Sequence, residues 1–321
     1  MPKEIKLAVI GAGVFNEGYH SPALQGLKAE YPELRLRGIC DVREERANYF
    51  AKRFGYEAAF TDYNKMLDAD NYDAAYITVP HSVVCNMVLD IAKRNIPIFL
   101  EKPPGDNVEQ TRRMAAAVKK GNLVGLNRRH MPLSRRLKEK AQSLQSISFI
   151  DCQFHRYKRA HKDFFFGTAI HAIDMMLNLG GPIKRVDTIR HHAPGYEFYQ
   201  HLATFRYQSG ALGLLHCAPE VGSRVERYSV HGDNQSFYLK AAYHNSDDFP
   251  GILECHAGPS LISSERMPTA YPYWEITGFS NQARLFLDHI KDGVEMHPTL
   301  TDCIPAMTIA ERVNNGESFD L

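Results

Sequence analysis

The hydrophobic pattern of this chain changes its period near residue 147, and that change constrains the fold more than any other feature. Up to about residue 125, short apolar runs at Lys6–Ile10, Leu34–Cys40, Ala74–Val79, Ile98–Leu100 and Leu123–Gly125 alternate with helical spacing, as in Val83, Val84, Met87, Val88 and Ile91. Asp106 with Glu109 offers an N-cap for a helix running to Lys120. Strands that are apolar throughout are covered on both faces, and strands separated by helices wind into a parallel sheet. After residue 147 the runs Ile147–His155, His201–Tyr207, Ala211–Cys217, Arg224–His231 and Ser236–Ala242 alternate instead. Turns at Gln208-Ser209-Gly210 and Gly232-Asp233-Asn234 fold the last four into two hairpins. A helix over Thr168–Leu179, with Ile170, Ile173 and Leu177 on one face, interrupts this block, and Phe279 to Val313 reads as two more helices. The expected class is α/β: a parallel-sheet domain over 1–125, then an α+β domain with a largely antiparallel open sheet over 126–321.

Composition narrows the partners. A chain of 321 residues with 44% hydrophobic residues supports two cores. A net charge of +1 gives no field to draw nucleic acid or an acidic membrane, so neither is expected as a partner. Six cysteines are scattered without a C-x-x-C pair, which suits reduced thiols in a cytosol. The first apolar run is too short for a signal peptide, and nothing later approaches the ~20 residues of a membrane span. A cytoplasmic protein is expected, with no metal site, since His191-His192 lacks both spacing and carboxylate company.

Chemistry begins at Ile10-Gly11-Ala12-Gly13-Val14-Phe15-Asn16, which follows the first strand and opens the first helix. Gly11 suits the tight turn and Gly13 a close approach to a pyrophosphate, with the N–H groups of Val14 and Phe15 at the helix start. The third glycine of the dinucleotide fingerprint is absent, since Asn16 stands there; an ordinary glycine turn is the plainer reading. Asp41 closes the second strand, where a carboxylate would accept hydrogen bonds from an adenosine ribose and repel a 2′-phosphate. NAD is therefore the expected cofactor. Arg43 and Arg46 soften the preference, so NADP stays open, and a simple N-cap is the alternative role for Asp41.

With Pro22-Ala23-Leu24, Glu101-Lys102-Pro103, Gly125-Leu126-Asn127-Arg128-Arg129, His171-x-x-Asp174 and Pro298-Thr299 added, the chain resembles the Gfo/Idh/MocA oxidoreductases along its whole length and looks closest to their MviM-like branch. The resemblance implies a nicotinamide on a Rossmann domain, with Pro80, Glu101 and Lys102 among its contacts, and a sugar, cyclitol or related polyol on the second domain. It implies that Lys102 hydrogen-bonds the reacting oxygen, that His171 exchanges a proton with the substrate hydroxyl, and that Asp174 orients the ring or the substrate. It also implies a homodimer or homotetramer through the exposed face of the antiparallel sheet. Two departures stand out: Gly167 replaces an aspartate one turn before the histidine, and Val84 replaces a histidine, with His81 following Pro80 instead. Asp163, His161 or Tyr157 could stand in for the missing carboxylate.

From His155 to Lys162 the chain is strongly basic, and Arg128, Arg129 and His130 lie at the domain junction. Asn127, Arg128, Arg156 and Tyr157 are the candidate substrate contacts, and the cations would favour a carboxylated or phosphorylated sugar. A solvated basic loop is the alternative. Tyr271, Tyr273 and Trp274 suit a sugar-stacking wall or, more commonly, core. Reversible hydride transfer between NAD(P) and a secondary alcohol is the leading expectation. Its rivals are an NAD-retaining glycosidase that oxidises its sugar transiently, and a dinucleotide-binding regulator that has lost its chemistry.

Overall fold

The computed structural model describes residues 4–242, 246 and 248–321. The chain runs β1 (Ile5–Ile10), α1 (Ser21–Leu27), β2 (Leu34–Cys40), α2 (Glu44–Phe54), β3 (Ala59–Phe60), α3 (Tyr63–Ala69), β4 (Ala74–Ile77), α4 (His81–Ile91), β5 (Ile98–Glu101), α5 (Val108–Ala117) and β6 (Asn122–Gly125). There follow α6 (Pro132–Gln142), β7 (Phe149–His155), α7 (Ile170–Gly180), β8 (Ile183–His191), β9 (Gln200–Tyr207), β10 (Leu212–Ala218), β11 (Val225–Gly232) and β12 (Gln235–Lys240). The last elements are β13 (Ile252–Ala257), β14 (Ser260–Arg266), α8 (Tyr273–Ile276), α9 (Phe279–Asp292), α10 (Leu300–Asn314) and β15 (Phe319–Asp320).

Two compact units result. The first comprises Met1–Asn127 with Phe279–Ile304, the second Arg128–Gly278 with Pro305–Leu321. The expected boundary at 125/126 thus falls two residues later, and α9 returns to the first unit because its apolar face, Phe279, Ala283, Phe286 and Leu287, completes that unit's core.

The first unit is a six-stranded parallel sheet in the order β3-β2-β1-β4-β5-β6. β1 and β4 are buried almost throughout, as strands covered on both faces must be. The strand order reverses between β1 and β4, so the loops after these two strands flank the crevice where such sheets take their ligands. Gly11, Gly13 and Thr78 lie on those loops.

The second unit is a nine-stranded sheet in the order β14-β13-β12-β11-β7-β10-β9-β8-β15, antiparallel except where β7 meets β10. β9 shows why one face is open: His201, Ala203, Phe205 and Tyr207 are buried while Leu202, Thr204 and Arg206 point outward. The β9–β10 and β11–β12 hairpins form as the turns require. β8, β13 and β14 extend the sheet beyond the expected strands. α7 lies on β7 and β10 and carries His171 and Asp174. No helix among the described residues is long and apolar enough to cross a membrane.

Candidate active site

The glycine loop is fixed by its neighbours on both sides. Gly11 has φ +103°, and a Cβ there would sit 2.7 Å from the Thr78 carbonyl oxygen. Its N–H donates to the Cys40 carbonyl at 2.7 Å, and Thr78 Oγ1 donates to its carbonyl at 2.8 Å. Glycine is required at 11 on both counts, conformation and space. Gly13 differs, since nothing lies within 4 Å of where its Cβ would stand. Beside that open surface Val14 and Phe15 are exposed, 81% and 54%, although both are apolar. A pyrophosphate could reach the loop N–H groups from this side without meeting a side chain.

Asn16 explains how the loop works without its third glycine. Its side-chain amide donates to the Gly11 carbonyl at 2.5 Å and accepts from Ser21 Oγ at 2.7 Å, while the backbone makes a π-turn over Asn16–His20 before α1 starts. The asparagine stabilises from within what a glycine would only permit.

Asp41 sits at the end of β2 and is 9% exposed. Its Oδ2 accepts from the Ala12 N–H at 2.8 Å, and its Oδ1 accepts from the N–H and Nε of Arg43, both at 3.0 Å. Burial alone would raise this carboxyl, yet the Arg43 side chain and the two backbone donors hold it below the ordinary carboxylate range. It is an anion that braces the glycine loop. Arg43 itself is largely exposed and is the one donor here that a ribose hydroxyl could displace.

The Glu101–Lys102–Pro103 turn leaves β5. The Glu101 carboxylate, expected among the cofactor contacts, pairs with His20 Nε2 at 2.8 Å and accepts the Lys102 N–H at 3.1 Å. Lys102 is half-buried, and Pro80 is an exposed residue at the N-cap of α4. His81 forms an ion pair with Asp106, while Val84 is buried three residues further along α4, so the two positions face different surroundings and His81 does not replace the histidine missing at 84.

In the second unit, His171 lies in the first turn of α7 and is 4% exposed. Asp174, one turn later, is fully buried and takes a bidentate pair from Arg129, with Nε at 2.7 Å and Nη2 at 2.6 Å. Its two oxygens are thus committed to Arg129. Arg128 and Arg156 are likewise committed: Glu226, buried on β11, accepts from Arg128 Nε at 3.1 Å, from Arg156 Nη2 at 2.6 Å and from the Tyr228 hydroxyl at 3.1 Å. Burial pushes Glu226 up, but the two guanidiniums outweigh it and its pKa is lowered. Arg156 also stacks over Phe154 at 3.6 Å and donates to two backbone carbonyls. Arg128 and Arg156, expected to meet an anionic substrate, are thus both paired with the buried Glu226. Tyr157 is 44% exposed on the loop beyond β7, beside exposed Lys158, Arg159 and Lys162. Asn127, the last residue of the first unit, is buried.

Of the three side chains that could replace the carboxylate absent at Gly167, one comes within 4 Å of where a Cβ there would stand, while Asp163 gives Gly167 only its backbone carbonyl, which accepts the Gly167 N–H at 2.7 Å. His161 Cε1 lies 3.8 Å from where a Gly167 Cβ would be, whereas Tyr157 and Asp163 are exposed. His161 also lines a cavity of about 320 Å³ with Phe164, Phe165, Arg190, Tyr199 and His201. His201, held down to about 4 by burial, is neutral there at physiological pH. Among the described residues no group of three metal-ligating side chains occurs.

Two outcomes follow from these contacts. Asp41→Ala should weaken NADH binding and narrow the gap to NADPH, since Arg43 is then released toward a 2′-phosphate; fluorescence titration of both cofactors measures it, and an unchanged ratio would remove Asp41 from cofactor choice. Glu226→Gln should destabilise the protein by about 3–5 kcal/mol in urea unfolding, the usual cost of leaving buried partners uncompensated. Because its folded pKa lies below the ordinary 4.5, Glu226 contributes stability that is present above that value and is lost as pH falls through the folded pKa, a dependence the variant should lack.

The family model described as "Oxidoreductase family, NAD-binding Rossmann fold" matches residues 5–128. Among relatives, the chain is 23% identical to a Bacillus subtilis scyllo-inositol 2-dehydrogenase (NADP(+)), over 55% of this chain and 53% of that protein. It is 30% identical to a Thermotoga maritima myo-inositol 2-dehydrogenase over 34% of this chain and 33% of that one. The chain spans about half or less of the length of these relatives. A levoglucosan dehydrogenase solved with NADH and L-sorbose superposes with TM-score 0.84 at 18% identity, covering 99% of both chains. The dehydrogenase MviM of Clostridium difficile does so with TM-score 0.84 at 15%, covering 98% of this chain and all (100%) of that one. Residues 5–128 thus match the model of the Gfo/Idh/MocA oxidoreductase family, and the strand order of the first unit agrees with the NAD-binding Rossmann fold that the model describes.

Proposed function

We propose that this protein is an NAD(P)-dependent oxidoreductase that moves hydride between the cofactor and a secondary alcohol or ketone of a neutral sugar, cyclitol or related polyol. The observation that carries this reading is the glycine loop: Gly11 locked against Thr78, an open face at Gly13 and an anionic Asp41 behind it are what a dinucleotide needs. A nicotinamide held there supplies the carbon that accepts or gives the hydride. Val14 and Phe15 would cover the pyrophosphate, and Asp41 with Arg43 would meet the adenosine ribose.

Oxidising an alcohol removes a hydride from carbon and a proton from the hydroxyl. The Lys102 ammonium would hold the negative charge that develops on the oxygen, and the His171 imidazole, with a reference pKa of ~6.5, would take the proton. Asp174 is a positioning residue in this scheme, since Arg129 occupies its carboxylate. His161, beside Gly167, would assist His171 in the absence of a carboxylate there. The guanidiniums of Arg128, Arg129 and Arg156 pair with the carboxylates of Asp174 and Glu226, which leaves one net positive charge among the five groups. Because each guanidinium already has a carboxylate partner, a neutral substrate is favoured over a uronate or sugar phosphate.

The open face of the nine-stranded sheet also suits a second copy of the chain. Ile189 and Leu202 are directly paired across β8 and β9, and both are exposed, 63% and 37%, with Leu212 48% exposed on β10. Replacing Ile189 and Leu202 together by glutamate should reduce the mass measured by light scattering to that of one chain; an unchanged mass would place the contact elsewhere.

A panel of inositols, glucosides and anhydrosugars, followed by absorbance of the reduced cofactor, tests the activity. Lys102→Ala and His171→Ala should each lower turnover by roughly 10²–10⁴-fold with cofactor affinity nearly intact. His161→Ala should lose rate mainly near neutral pH, while Asp163→Ala should not. A folded His171→Ala variant at wild-type rate would overturn its role.

A further inference from the structure

We propose that His20 is a positioning residue for the reaction, fixing the main chain at Lys102 through the carboxylate of Glu101. The proposal rests on the role given to Lys102 above, but its observations are independent of that role. His20 is fully buried at the end of the π-turn that precedes α1, with the edges of Tyr76, Phe99 and Phe279 around its ring at 5.4, 5.6 and 5.0 Å. Its Nδ1 lies 2.8 Å from the Tyr76 hydroxyl and its Nε2 lies 2.8 Å from Glu101 Oε1. Burial, reinforced by the negative charge of Glu101, pushes the Tyr76 phenol well above its ordinary range, so it stays protonated and can donate. The Tyr76 hydroxyl bonds Nδ1, while Nε2 and Glu101 Oε1, 2.8 Å apart, form a close buried polar contact without the alignment of a hydrogen bond.

The other half of the carboxylate is equally constrained. Glu101 Oε2 accepts the Lys102 N–H at 3.1 Å. Glu101 pairs with Gly125 across β5 and β6, and a Cβ on Gly125 would lie 2.7 Å from Oε1 and 3.1 Å from the carboxyl carbon. The carboxylate therefore lies close over Gly125, with Oε1 against His20 Nε2 and Oε2 bonded to the backbone of Lys102. Three separated stretches of sequence, at 20, 101–102 and 125, meet on one group. Without His20 packed against Oε1 the carboxylate would swing toward water, and the Lys102 backbone would lose the acceptor that sets the start of its side chain.

The test is made on the full-length protein without cofactor, and then with NADH. His20→Phe keeps the ring packing and removes the Tyr76 hydrogen bond and the polar contact with Glu101, while His20→Gln keeps a polar group near the Nε2 position. Hydrogen exchange of the Lys102 amide should speed up by roughly tenfold or more in His20→Phe, with amides of β2 and β3 unchanged, and should return close to wild type in His20→Gln. Turnover on the best substrate of the panel should fall in kcat with KM and the NADH Kd within about threefold, and Lys102→Ala should lose no more when His20→Phe is added. Should His20→Phe not fold, Gly125→Ala displaces the same carboxylate and should loosen the same amide. Unaltered exchange at Lys102 in the folded variant, or full additivity with Lys102→Ala, overturns the proposal. A Lys102→Ala variant with wild-type turnover would instead overturn the role of the amine, while a loosened Lys102 amide in His20→Phe would still support the link from His20 to the turn.

Discussion

Taking a carboxylate out of water costs several kcal/mol unless donors replace the lost solvent, and removing such a donor afterwards is more damaging than never having the charge. Around the candidate site four are withdrawn from bulk solvent: Asp41, Glu101, Asp174 and Glu226, exposed by 13% or less. Each is met by partners from other parts of the sequence. Asp41 takes the Ala12 N–H and Arg43, Glu101 takes His20 and the Lys102 N–H, Asp174 takes Arg129, and Glu226 takes Arg128, Arg156 and Tyr228. The motifs that resemble a catalytic inventory are held in place by these anions. A cation beside such an anion is structural before it is functional.

That distinction decides what could be read from the sequence. The parallel sheet was legible because β1, β4 and β5 are apolar runs separated by helical spacing, and the two hairpins because their turns carry glycine and asparagine. β8 was not, since only Ile183 and Val186 of its nine residues are buried, which leaves no period-2 signal. β14 is exposed along its whole length and pairs only through its backbone with β13. The amphipathic face of α9 announces that it needs a partner, but nothing local says that the partner is α1 and the π-turn before it, more than two hundred residues earlier.

The site shows the same limit. Gly11, Asp41 and Lys102 stand out in the sequence through motif spacing alone, while the groups that hold their surroundings, Thr78, Ala12 and the His20–Glu101 pair, come from distant parts of the chain. Arg128 and Arg156 looked like substrate contacts because their neighbours in sequence are basic; the acid that neutralises them, Glu226, is 98 residues from one and 70 from the other. His20 carried no sequence signal of its own. A histidine soon after a glycine loop, at the foot of an otherwise apolar helix, is a buried polar group in need of a partner, and only the Glu101 side chain across the sheet reveals which.

Both histidines that bear on the chemistry are reached through the same backbone device. A five-residue π-turn, Asn16–His20, ends on His20, and another, Phe165–Ala169, ends two residues before His171. Such turns are uncommon, because the wider i→i+5 ring packs poorly, and they gather at functional positions. Their effect is to insert one residue into the helical count, which rotates everything upstream by about 100° relative to a continuous helix. In the first unit the rotation lets Asn16 reach back to Gly11 while His20 still faces the β-sheet core. In the second it means that position 167 is not on the face that uninterrupted i, i+4 spacing would give it. The ring found beside Gly167 is His161, from outside the turn, and a proton-handling partner for His171 is accordingly sought on that preceding loop.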